Sequence, residues 1–211
     1  SAAALQARDL QSDGDLAVRA AGAIGIDLAS ALGSVQLDGQ DSVAAAQLVA
    51  GDDLVINSAG NQRLGRAQAG GRAQLHASNG SVVLGSNGLL QANAVDINAA
   101  GLDMQAGAQI LAAQQLDVQL RGDARIGHAH VTGVAGNGAM NFAATGAIAS
   151  NGDGAVDLVA GQGVAVNLDA GNGIGGSDAA LTVDSGRIDA RATDGDIHLH
   201  LLQSAHAGRI S

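Results

Sequence analysis

The feature that most restricts this chain is a repeat of 19 residues. Leu16-Ala17-Val18, Val35-Gln36-Leu37, Leu54-Val55-Ile56 and Ala73-Gln74-Leu75 start 19 residues apart, each after a turn at Gly14, Gly33, Gly51 or Gly70-Gly71. An upstream apolar position recurs at Leu5, Ile24 and Val43, and a third falls near Leu10, Leu28 and Leu48. These positions divide the early chain into rows 4–22, 23–41, 42–60 and 61–79. Over residues 80–208 the grammar persists without the strict period. Val95-Asp96-Ile97, Leu116-Asp117-Val118, Met140-Asn141-Phe142, Val156-Asp157-Leu158, Leu181-Thr182-Val183 and Ile197-His198-Leu199 are expected in the same slot. Insertions at turns such as Gly133 to Gly138 and Gly171 to Ser177 would absorb the variation. About ten rows result.

Each triplet alternates apolar, polar, apolar, the period of a strand with one buried face. Two or three such strands per row have nothing to bury against until the rows stack, each strand pairing with its copy in the next. The predicted fold is therefore all-β, a parallel β-helix (β-solenoid) of about ten coils. At ~4.8 Å per coil the rod would be roughly 48 Å long. Composition agrees: there is no Pro to delete a ladder bond and no Trp or Tyr to overfill a narrow core, and Phe142 is the single Phe. All acidic residues are Asp and all basic ones Arg, which with 32 Gly argues against a helical bundle. A Gly-rich antiparallel sandwich or barrel gives no reason for equal intervals. Stacked rows need polar caps, yet the pattern is complete from Leu5 and still runs at Ile197 to Leu202. Residues 1–211 are thus expected to be one β-helical segment of a longer protein, with the polar stretch Gln203 to Ser211 helping to close one end.

The formal charge of −10 argues against nucleic acid and anionic membranes as partners. Without Cys there is no thiol chemistry, and no apolar run reaches the ~18 residues of a membrane span. Ser1 to Leu5 lacks the pattern of a signal peptide, so an export signal would lie outside this stretch.

The form G-D-L-x-V-x-A-x-G at Gly14 to Gly22, and the spelling Asp53-Leu54-Val55-Ile56-Asn57-Ser58-Ala59-Gly60, resemble the imperfect repeats of filamentous haemagglutinin and related exoproteins of bacterial two-partner secretion. The likeness covers essentially the whole chain and is clearest over residues 4–123. It implies a right-handed β-helical shaft, export through a dedicated outer-membrane transporter, and a secreted or surface location on a Gram-negative cell. Adhesins and contact-dependent growth-inhibition proteins share these repeats.

Arg121-Gly122-Asp123 is the foremost candidate site, a tripeptide that engages integrins from an exposed turn, and it follows a predicted strand. The same residues also make ordinary turns. A second candidate is the outward column Ala17, Gln36, Val55, Gln74, Asp96, Asp117, Asn141, Asp157, Thr182 and His198. Stacked Asp96, Asp117 and Asp157 would fit the acid/base or calcium clusters of β-helical polysaccharide lyases and hydrolases. Lys and aromatic platforms are missing, and no Arg falls in that column. The next column, Arg19, Asp38, Asn57, His76, Asn98 and Gln119, is expected to form an ion pair and amide ladders between rows. His128/His130 and His198/His200 have metal-compatible spacing but no third ligand nearby, and read as surface histidines. Gly171 to Asp178 lacks the Lys-Ser/Thr of a phosphate loop and reads as an enlarged turn.

The expected function is a non-catalytic shaft and adhesive segment of a filamentous haemagglutinin-like adhesin, a virulence factor contacting a host receptor or glycan through Arg121, Gly122 and Asp123. No residue pattern calls for a cofactor or metal. The alternatives are the stalk of a contact-dependent growth-inhibition protein and a polysaccharide lyase or hydrolase.

Overall fold

The computed structural model describes residues 3–133, 138–203 and 206–211. Residues 134–137 of the expected insertion after Gly133, and Ser204 and Ala205 of the closing polar stretch, lie outside the described residues, as do Ser1 and Ala2. The described residues contain no helix; their strands join into one sheet of 21 strands in which every pairing is parallel. The chain is a β-solenoid of ten coils, as the repeat predicts.

Each coil has three faces that sit on their copies in the next coil, as strands except on the first face of the last two coils, where single bridges at Ile174 and Ile197 continue the stack. The first face runs Leu5, Ile24, Val43, Gln62, Val82, Leu102, Ala124, Ile148, Ile174 and Ile197. The second runs Leu10, Ala29, Leu48, Ala67, Leu90, Ile110, Ala129, Leu158, Val183 and Leu201. The third runs Leu16, Val35, Leu54, Ala73, Val95, Leu116, Met140, Val166, Ile188 and the register position of Ala207. Between the ends these columns form one continuous buried core. On the second face Leu48 and Leu90 alternate with Ala29 and Ala67, so large side chains reach into space that small ones leave.

Two expectations are corrected by this register. Leu28 does not belong to the second column; its place is taken by Ala29, which is fully buried. The cause is a one-residue corner. Ladder pairing skips Arg8 and its copy Asp27, so the inward positions Ile26 and Ala29 are three apart and Leu28 turns outward. In the later coils, Val156-Asp157-Leu158 and Leu181-Thr182-Val183 belong to the second face, and Ile197 to the first, with Leu199 beginning the next strand. The third-face slot is filled by Val166-Asn167-Leu168 and Ile188-Asp189-Ala190 instead. All three faces carry the same alternation, so a triplet alone does not say which face it occupies once insertions break the period.

Candidate functional site

Arg121, Gly122 and Asp123 fill the turn between strands Gln109–Leu120 and Ala124–Ile126, where the sequence places them. The structure uses both ionic side chains within the solenoid. Arg121 lies back along the rod and donates through Nη2 to the carbonyls of Ala77, at 3.3 Å, and Ser78, two coils earlier. Asp123 Oδ1 accepts the Ala147 N–H of the following coil at 2.8 Å. This second bond is one case of a recurring device. Asp15 accepts from Ser34 N at 2.8 Å, Asp53 from Arg72 N at 2.7 Å and Asp189 from Arg209 N at 2.8 Å. In each case the carboxylate occupies the space a side chain would need on the glycine just before the donor, at Gly146, Gly33, Gly71 or Gly208. An Asp in one coil over a Gly in the next thus satisfies a backbone N–H that the ladder leaves open, at a turn or, for Asp189 and Arg209, at a break in the register of two paired strands. Arg121 and Asp123 nonetheless remain exposed to solvent.

The outward column of the third face reads Ala17, Gln36, Val55, Gln74, Asp96, Asp117, Asn141, Asn167 and Asp189. Asp96 and Asp117 are neighbours, as expected, but Asp157, Thr182 and His198 are not in this column. The set Asp96, Asp117 and Asp157 is therefore split between two faces. Asp96 pairs with Arg72 at 3.3 Å, and Asp117 accepts from Gln115 and Asn141. Asn141 in turn accepts from Asn167 at 2.7 Å, extending an amide ladder over three coils. In the adjoining column Arg19 meets Asp38 at 3.1 Å, the ion pair expected there, and Asn57 donates to the same Asp38 carboxylate at 2.7 Å rather than to a neighbouring amide. The Asn57 bond, with Arg19 and Gln36, holds the Asp38 carboxyl below its ordinary pKa against the opposing effect of burial. An open groove of about 320 Å³ lies over coils 3–6 of this face, lined by Asn57, Gln74, His76, Asp96, Asn98 and Gln119 among others.

A polar cluster that the repeat did not reveal lies where residues 151–157 fold back over two earlier coils. Asn151 Nδ2 reaches the carbonyls of Met104 and Gln105 at 3.3 and 3.4 Å, and Asp153 accepts from Ala155 N and Gly107 N at 3.0 and 3.1 Å. Those backbone donors hold the Asp153 carboxyl below its ordinary pKa. Asp157, at 1% exposure, accepts from Ser150 Oγ at 2.6 Å and Thr182 N at 2.8 Å, and burial pushes its pKa up. An acid raised in the folded state binds protons on folding, so its contribution to stability grows as pH falls through the raised value. Asp38 and Asp153 act oppositely, stabilising the fold above their ordinary value and losing this as pH falls through the depressed one. Asp157→Asn, which keeps an acceptor for Thr182 and a donor for Ser150, is expected to leave stability at pH 7 unchanged or higher. Asp157→Ala should lose about 1–3 kcal/mol; urea unfolding at pH 7 separates the two.

His128 contacts the Val156 carbonyl through Nδ1 at 2.7 Å, and its ring lies 6.4 Å from that of His130. Burial, then the neighbouring His128, lowers the His130 pKa. His198 and His200 lie on either side of a corner, on the first and second faces, rather than side by side on one strand. Among the described residues no three His or Asp side chains are grouped to hold a metal ion. Gly171 to Asp178 is more than an enlarged turn, because it contains the fully buried Ile174 that links Ile148 to Ile197. Gln62 also escaped the sequence reading. It occupies a core position between Val43 and Val82, fully buried, and donates to the carbonyls of Ile56 and His76 at 3.0 and 2.9 Å. Extending the Leu5, Ile24, Val43 series by one more interval of 19 lands on it.

No family model, curated protein or solved structure matches this chain. Among the described residues no helix is long and apolar enough to cross a membrane.

Proposed function

We propose that this chain is a non-catalytic, stiff shaft segment of a secreted bacterial surface adhesin of the filamentous haemagglutinin kind. The observation that carries the shaft reading is where the acidic side chains go. Asp15, Asp38, Asp53, Asp117, Asp123, Asp157 and Asp189 all bond residues of another coil, so the polar chemistry of the chain holds coils in register. A single core threaded through ten coils resists bending because each coil is paired on both sides. Such a rod holds binding surfaces away from the cell that bears it. Secretion through an outer-membrane transporter and the Gram-negative surface follow from the repeat resemblance. Adhesion rests on Arg121, Gly122 and Asp123, exposed at a turn and offering a cation and a carboxylate to an integrin-type host receptor.

One observation favours a plain spacer, as in the stalk of a contact-dependent growth-inhibition protein: Arg121 and Asp123 are already bonded to neighbouring coils. Asp123→Asn separates the two readings, because an amide oxygen still accepts from Ala147 while the charge is lost. Beads coated with the chain are expected to adhere to host cells, and Asp123→Asn to cut adhesion at least tenfold while Asp15→Asn, the same change at another turn, does not. Equal adhesion by all three would leave the segment a spacer.

A further inference from the structure

We infer that Asn172 is a site of spontaneous covalent modification, in which its side-chain amide closes on the backbone nitrogen of Gly173, releases ammonia and leaves aspartate or isoaspartate. The Gly173 nitrogen attacks Cγ and a new C–N bond forms. The bond from Cγ to the amide nitrogen breaks, and that nitrogen leaves as ammonia with the proton the glycine has lost. Water then opens the five-membered imide, giving aspartate when it cleaves at Cγ and isoaspartate when it cleaves at the backbone carbonyl. A glycine after the asparagine favours the attack, because no side chain hinders the approach and the backbone bends freely. The chain has five such pairs, at Asn79, Asn87, Asn137, Asn151 and Asn172, and all but Asn137 are among the described residues.

Their surroundings single out one. At Asn151 every reacting group is held: Nδ2 donates to the Met104 and Gln105 carbonyls, Oδ1 accepts from Asp153 N at 3.0 Å, and Gly152 N donates to Ser150 Oγ at 3.1 Å. Asn87 rests its side chain in the space above Gly107, and Gly88 is buried. Asn79 is exposed, but Gly80 is buried against the Gly60–Asn61 peptide, and bonds of 2.8 Å from Asn79 N to Ala59 and from Ser81 N to Asn61 pin the turn on both sides. Asn172 is exposed on an open groove beside Thr145 and Asp194, its side chain bonded to none of the described residues, and the Gly173 N–H donates to none of them. Beyond it the first face continues only through the single bridge at Ile174, so this turn opens at lower cost than one between two full strands. The product is felt in the ladder. Asn172 N donates to Gly146 at 3.1 Å and the Gly173 carbonyl accepts from Ile148 at 3.0 Å. Isoaspartate puts one extra backbone carbon between those two bonds, which displaces the buried Ile174 from its place between Ile148 and Ile197.

Peptide mapping by mass spectrometry, with enzymatic labelling of isoaspartate, tests this on the folded chain held at mildly alkaline pH. Asn172 is expected to convert at least tenfold faster than Asn79, Asn87 and Asn151. Its rate should rise with pH, because the attacking nitrogen must lose its proton. In urea the four should convert at similar rates, which shows that the folded structure makes the choice. Hydrogen exchange of the aged chain is expected to show protection lost around Ile148 and Ile174, while Asn172→Gln, whose longer side chain closes a ring far more slowly, keeps it. An Asn172 that stays an amide in the folded chain while the urea-unfolded chain converts, or any of the other three converting as fast as Asn172 in the folded chain, would overturn the inference.

Discussion

Gly51→Ala is expected to destabilise the folded chain by more than about 3 kcal/mol, while Gly186→Ala leaves it unchanged or up to about 1 kcal/mol more stable. The difference lies in what the new methyl group meets. At Gly51 it would overlap the backbone carbonyl of Leu32 in the preceding coil, in a turn closed by the Gly51 N–H to Ala31 carbonyl bond of 3.0 Å. A carbonyl cannot rotate away as a side chain can, so the two coils must part and the bond is lost. Gly70 repeats the arrangement over the Gly51 carbonyl, so one separation disturbs two coil junctions. Gly186 lies in the turn between strands Leu181–Asp184 and Arg187–Ala192 with nothing near its missing side chain, and Ala there only restricts the unfolded chain. Urea unfolding of both variants measures the contrast.

Phe142→Ala should cost about 3–5 kcal/mol, the range for emptying a buried aromatic site. Phe142 is 2% exposed and stacks between Val118 and Leu168, one coil to either side. Neither neighbour can move in, because the strands carrying them are pinned by their own ladders and a spacing of ~4.8 Å leaves no slack. Because each coil touches only those beside it, the damage should stay local. Hydrogen exchange is expected to show protection falling first around residues 139–144, with the coils of residues 24–60 little changed. A uniform loss over all ten coils would mean that the rod unfolds as one unit.

The candidate site was legible to different degrees for physical reasons. The turn position of Arg121, Gly122 and Asp123 followed from the strand before it, and the Arg19–Asp38 pair from one column in successive rows 19 residues apart. The bond from Asp123 to Ala147 spans 24 residues and that from Asp157 to Thr182 spans 25, across insertions that no fixed period tracks. The grouping of Asn151, Asp153 and Gly107 depends on a loop that crosses two coils, which a coil-by-coil reading cannot contain. The proposed trio of Asp96, Asp117 and Asp157 failed for the same cause, since one misassigned triplet moves a side chain to another face.

What the sequence determined alone is that the chain stacks: equal intervals of alternating residues leave each row unable to bury itself except on its neighbours. About ten coils follow as well, from one alternating triplet per row. The tertiary structure decided which face each later anchor serves, that Leu28 turns out and Ala29 in, and that Gln62 enters the core. Those choices depend on where the chain turns its corners. A one-residue corner reverses the inward sense of every residue after it, and only the ladder to the coil below fixes its position.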